Sequence, residues 1–161
     1  MMRVLLLLAL CLLPGLAHAR SVASLPGAKN LTLDCMAEAA QEHDVSLAAL
    51  MGILAVEGGK AGEALRNPDG SFDVGPFQVN TRNLNDLSAK GFVPEAIVLD
   101  GCVNAHAAAW ILRREYARTG NIWEAVGAYH SRTPQFRDAY IARVRRHLAR
   151  MRNYLFPVGL P

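Results

Sequence analysis

Cysteine is scarce, at three residues in 161, and Cys11 sits in an N-terminal apolar stretch. Only Cys35 and Cys102 remain for a folded domain, and two cysteines alone make a poor metal site. The chain has no His-Glu-x-x-His or comparable cluster, so neither a metal nor an organic cofactor is expected. His43, His106 and His147 are isolated in the sequence and read best as surface or satisfied core histidines. After the N-terminal stretch no apolar run is long enough to cross a bilayer as a helix, so the mature chain is expected to carry no transmembrane anchor. The interleaved basic and aromatic residues of a nucleic-acid binder are missing, and nucleic acid is not an expected partner. Internal repeats and low-complexity tracts are absent too. What remains is enough chain for one domain around one core.

The N-terminus has the three-part pattern of a secretory signal peptide: Arg3, an apolar stretch from Val4 to Leu13, and the small-x-small site Ala17-His18-Ala19. Leu10 is bulky and apolar residues continue past Cys11, which argues against a lipoprotein and for cleavage after Ala19. The expected organisation is a signal peptide over 1–19, a leader over 20–30, the domain over 31–153 and a tail over 154–161. Export to a periplasm would put Cys35 and Cys102 in an oxidising compartment, where an even pair reads as a disulfide. Two unpaired buried thiols are the alternative. The formal charge is +3, of which Arg3 supplies one, leaving about +2 after cleavage. Arg137, Arg143, Arg145, Arg146, Arg150 and Arg152 crowd the last helical segment, as a solvated face or as a stripe for an anionic surface or partner.

Helical patterns run from Thr32, an N-cap, to about His43; from Leu47, capped by Ser46, to Glu57; and then over 82–90, 94–99, 103–118, 122–129 and 134–153. The second is apolar all round, so it should be the central buried helix, stopped by Gly58 and Gly59. Ala105, Ala109, Leu112 and Tyr116 form the expected inner face of the long helix after Cys102. Phe136, Tyr140, Val144, Leu148 and Met151 form that of the last. Between them Asn67-Pro68-Asp69-Gly70 is a turn, and alternation around Phe72 and Val74 predicts one small β-hairpin. The fold class is mainly α (α+β), with that hairpin beside the central helix.

Glu57 ends a ten-residue apolar run and shares a helical face with Leu50, Ile53 and Leu54. Facing the core, it would lose water and its pKa would rise, as a general acid for glycosidic cleavage requires. A solvated helix-end glutamate is the competing reading. The motif "VEGG" at Val56–Gly59, followed by "DGSFDVGPFQVN" at Asp69–Asn80 and "AVGAYHS" at Ala125–Ser131, resembles the soluble lytic transglycosylase family, over roughly residues 33 to 132. Within it the likeness is to the branch that accompanies type IV secretion and conjugation systems.

The resemblance implies a lysozyme-like fold and cleavage of the β-1,4 bond between N-acetylmuramic acid and N-acetylglucosamine in peptidoglycan. Glu57 would protonate the linking oxygen and then act as base on the muramic C6 hydroxyl, closing a 1,6-anhydro ring without water. Gln78 matches a substrate-binding glutamine, Gly75 a glycine that allows close backbone approach, and Phe77 a large apolar residue lining the cleft. Tyr129 matches the tyrosine whose hydroxyl orients the acid, with a core tyrosine as the other reading. Asn80 is either part of the substrate site or a helix cap. Gly58 stands where many members have Ser, and His130 where they have Asn. Asp73 is the candidate second carboxylate, in which case the enzyme would be a hydrolytic muramidase; otherwise it serves local backbone. A non-catalytic glycan-binding assembly scaffold is the remaining alternative. Expected partners are peptidoglycan glycan strands and components of a secretion, conjugation or pilus apparatus.

Overall fold

The computed structural model describes residues 25–155, and side chains as far as residue 153. The signal peptide over 1–19, its cleavage site, leader residues 20–24 and tail residues 156–161 lie outside the described residues. Helix α1 spans Leu33–Glu42 and α2 spans Leu47–Glu57. Their starts are fixed by Thr32 Oγ1, which accepts from the Cys35 amide at 3.2 Å, and Ser46 Oγ, which accepts from the Ala49 amide at 3.3 Å. Gly58 takes the left-handed conformation that ends α2, at φ 60°.

Three short strands follow: β1 (Ala64–Arg66), β2 (Phe72–Val74) and β3 (Val79–Asn80). They form one antiparallel sheet in the order β1-β2-β3, with Leu65 opposite Asp73 and Val74 opposite Val79. The expected hairpin is therefore the first two strands of a three-stranded sheet, because the chain turns again at Gly75–Gln78. A 3-10 turn at Thr81–Asn83 leads into α3 (Leu84–Ser88) and α4 (Pro94–Leu99). Then come α5 (Gly101–Thr119), α6 (Ile122–His130) and α7 (Pro134–Leu155). Of the leader, Lys29 is tied to the domain: its amide donates to the Leu99 carbonyl and its carbonyl accepts from the Gly101 amide, both at 2.8 Å.

Helix α5 packs against α1, α4 and α6, and α7 packs against α2 and α6. Ala105, Ala109, Leu112, Tyr140 and Val144 are fully buried, as their spacing predicts. Phe136 is not: it is 54% exposed. The stripe of α7 that meets α6 passes instead through Arg137 and Ile141, which lie over Gly127. Helix α2 buries Ala49, Leu50, Gly52 and Ile53, while Leu54 to Glu57 are only half-buried. A Cβ on Gly52 would stand 2.6 Å from Val144 Cγ1, so glycine lets α7 approach the helix that carries Glu57.

Cys35 and Cys102 form a disulfide between α1 and α5, with Cα atoms 5.2 Å apart. Closing a loop with a sequence separation of 67 stabilises by about 4 kcal/mol in the chain-entropy account. Among the described residues no helix is long and apolar enough to cross a membrane.

Candidate active site

A cleft of about 670 Å³ runs between the sheet and α5–α6, with Glu57, Asp73, Gln78, Asn80, Tyr129 and His130 on its walls. Glu57 reaches it because it is the last residue of α2, one position before the chain turns away at Gly58. Its Oε1 accepts a 2.6 Å hydrogen bond from the hydroxyl of Tyr140 on α7. Burial pushes the Glu57 carboxyl above its ordinary range; Asp73 adds to the rise, while the Tyr140 bond and Arg143 oppose it. Burial, and after it the charge and bond of Glu57, drive the Tyr140 phenol upward, so this hydroxyl keeps its proton and donates.

The hydroxyl that orients Glu57 is thus not that of Tyr129. Tyr129 donates to the Phe77 carbonyl at 2.8 Å, fastening α6 to the β2–β3 turn. Phe77 is fully buried in the core rather than on the cleft wall. Gly75 does allow close approach. It sits at φ 70°, and a Cβ there would collide with the Asn104 side-chain amide. Gln78 also has positive φ, 48°, which is unusual for a non-glycine residue. Its Nε2 donates to the Gly75 carbonyl at 2.9 Å, holding the amide over the cleft.

Asp73 faces the cleft from β2, and each of its oxygens already has a partner: Asn80 Nδ2 at 2.7 Å and Asn67 Nδ2 at 3.0 Å. Asn80 lines the cleft and is also a cap, its Oδ1 accepting from the Arg82 amide at 2.9 Å. His130 stacks on the Tyr140 ring, centroids 4.7 Å apart and planes 6° from parallel. Burial and nearby Arg143 hold its imidazole below the usual histidine range, against a weaker pull from Asp73. Arg143 in turn lies over Tyr140, and Arg145 over Trp123 at 4.4 Å, so two arginines of the basic stripe rest on aromatic rings.

Beyond the pairing of Tyr140 with Glu57, two buried polar residues of α5 are not singled out by their sequence motifs. Asn104 accepts from the Phe77 amide at 2.9 Å and donates to the Val74 and Ile97 carbonyls, joining the cleft turn to α4. Glu115 is 1% exposed and bound by Arg114, Arg118 and Arg132, the last at 2.7 Å. Burial works to raise its pKa, but the Arg132 and Arg118 bonds outweigh it and the net shift is downward. Both fall on the buried phase of the helix, Asn104 beside Ala105 and Ala108 and Glu115 three residues after Leu112, which is the signal that would have found them. Two glutamates in one cleft are therefore driven apart: Glu115 is held ionised by guanidinium groups, and Glu57 is biased towards its protonated form.

A family model described as the transglycosylase SLT domain matches residues 34–144. The chain is similar to X polypeptide of Escherichia coli, 35% identical over 86 residues that cover 50% of this chain and 51% of that protein. It is similar to Protein IpgF of Shigella flexneri, 32% identical over 101 residues covering 62% of this chain and 66% of that one. Invasion protein IagB of Salmonella typhimurium is 32% identical over 101 residues, 62% of this chain and 63% of that protein. The chain thus spans about half the length of the first relative and less than two thirds of the other two. With 34–144 matched, well over half of its 161 residues, the chain belongs to the transglycosylase SLT domain family, and its helices around a small sheet are the lysozyme-like fold.

Proposed function

We propose that the chain is a peptidoglycan lytic transglycosylase with Glu57 as its acid and base. One observation carries the reading. Glu57 is the carboxyl in the cleft that burial biases towards its protonated form, and a tyrosine hydroxyl at 2.6 Å fixes its direction. A protonated Glu57 donates to the oxygen linking N-acetylmuramic acid to N-acetylglucosamine as that bond breaks. The carboxylate left behind, steadied by the Tyr140 hydroxyl, takes the proton of the muramic C6 hydroxyl. Its oxygen closes the 1,6-anhydro ring, and Glu57 is protonated again. No water enters. Gln78, Asn80, Tyr129 and His130 are the proposed substrate contacts, with Gln78 offering an amide to the glycan.

Hydrolysis with Asp73 as the second carboxylate has an observation in its favour, since Asp73 shares the cleft and raises the Glu57 pKa. Its two amide partners favour a structural and electrostatic role instead. The proposed setting is a periplasm, reached through the signal peptide at 1–19, where wall opening would serve a secretion, conjugation or pilus apparatus. A zymogram on purified cell wall, wild type beside Glu57→Gln, tests the chemistry. Wild type should clear the wall and release products lighter by one water than hydrolytic ones, and a folded Glu57→Gln protein should not. Hydrolytic products would assign a muramidase, and binding without clearing a glycan-binding scaffold.

A further inference from the structure

On the side of α5 that faces α1, three ligand-bearing residues meet. Glu42 ends α1, His43 caps it, and His106 lies on α5 one turn beyond Cys102. The histidines, 63 positions apart in the sequence, are not isolated in the fold: their ring centroids are 5.5 Å apart, edge to face. One donor atom from each of the three residues lies within 4.8 Å of the others. His106 Nδ1 and Glu42 Oε2 are 3.2 Å apart. Two ligands of a tetrahedral ion bound at about 2.0–2.1 Å stand roughly 3.3 Å apart, so this pair already has the bite of a chelate.

His43 Nε2 is buried and has no hydrogen-bond partner. A polar nitrogen left so is uncommon and calls for a ligand or a reason. Beside the cluster Glu42 and His106 help to line an open hollow of about 370 Å³, with Phe92 and Lys90 also on its wall. It leaves room for a fourth ligand such as water.

We propose that Glu42, His43 and His106 bind one divalent ion of the zinc class, clamping the end of α1 to α5. Two imidazoles and one carboxylate suit borderline ions such as Zn²⁺, whereas Mg²⁺ takes oxygen ligands and a hydrated octahedral shell. The clamp lies on the same helix pair as the Cys35–Cys102 disulfide, whose sulfurs are bonded to each other and take no part. Glu42 brings one negative charge and the neutral rings none, so the ion's charge is partly offset and a water or small anion completes the shell. None of the three residues lines the cleft that holds Glu57, and the site is independent of the reaction proposed for that carboxyl.

The test is calorimetric titration of the untagged, disulfide-intact protein with Zn²⁺, with Mg²⁺ as control and the melting temperature followed in parallel. One Zn²⁺ should bind per chain and raise the melting temperature, and Mg²⁺ should do neither. Glu42→Gln and His106→Gln should each weaken Zn²⁺ binding by about tenfold or more. Glu42 is exposed, so its variant tests the site even if a histidine variant fails to fold. Absence of Zn²⁺ binding up to about 1 mM, or equal affinity in wild type and a folded Glu42→Gln protein, overturns the proposal.

Discussion

Tyr140→Phe removes one hydroxyl and keeps the ring that fills the core and stacks on His130. The lost bond is the 2.6 Å contact to Glu57 Oε1, and a hydrogen bond to a charged group is worth about 1.5–3 kcal/mol. If Glu57 must pass through its ionised form between giving and recovering the proton, the full value falls on the reaction. That is a fall in rate of roughly ten- to a hundredfold. The pH dependence has a definite sign. The Tyr140 bond opposes the rise that burial imposes on Glu57, so without it the carboxyl stays protonated to higher pH. The alkaline limb of the rate profile should move up while its maximum falls. Tyr129→Phe is the matched control, because that hydroxyl bonds the Phe77 carbonyl and not the acid. It should leave the limb in place and change the rate far less. The assay is release of soluble muropeptides from purified wall across pH, with circular dichroism to certify folding. A limb that moves down in Tyr140→Phe, or one that moves as far in a folded Tyr129→Phe protein as in Tyr140→Phe, refutes the assignment of the orienting hydroxyl.

Glu57→Gln should melt at or above the wild-type temperature at pH 7. A raised folded-state pKa means the native state holds its proton longer than the unfolded chain, so stability is full below the unfolded value near 4.5 and declines as pH rises through the folded one. The amide removes that decline, and thermal melts from pH 4 to pH 8 should show the two proteins converging at the acid end. Glu115→Gln has the opposite sign. Its carboxyl is depressed, so its contribution is present above the ordinary value near 4.5 and is lost as pH falls through the folded pKa. Denaturant titration at pH 7 should find Glu115→Gln less stable by about 2 kcal/mol, short of the roughly 3–5 kcal/mol for breaking a fully buried pair because Arg118 and Arg132 reach water. An unchanged midpoint would remove Glu115 from the stabilising residues.

The helices were legible where local chemistry punctuates them. Ser46 and Gly58 bracket α2, and α4 starts at Pro94 as its helix-starting proline predicts. Strand β3 was not, since two residues carry no alternation and its pairing with β2 depends on the turn at Gly75. Within the cleft Glu57 lies in one motif and Asp73 and Gln78 in the next, close enough along the chain for sequence spacing to group them. Tyr140 lies 83 residues from Glu57, and its spacing gives only an inward direction on α7. Choosing between it and Tyr129 as the partner of the acid needs the angle at which α7 crosses α2. The same holds for His43 and His106, which two separate helices bring together.

The position of Glu57 at the very end of α2 has a further electrostatic consequence. The last carbonyls of a helix have no partner within it and together carry roughly half a negative charge. A carboxylate there is repelled by its own helix, and α2 has no basic residue in its last turn to offset this. The left-handed turn at Gly58 then leads the chain away at once, leaving the side chain open to the cleft. Backbone geometry thus favours the protonated acid without sealing it from solvent, so the carboxyl can hold its proton and still be reached by the glycan strand proposed as its substrate.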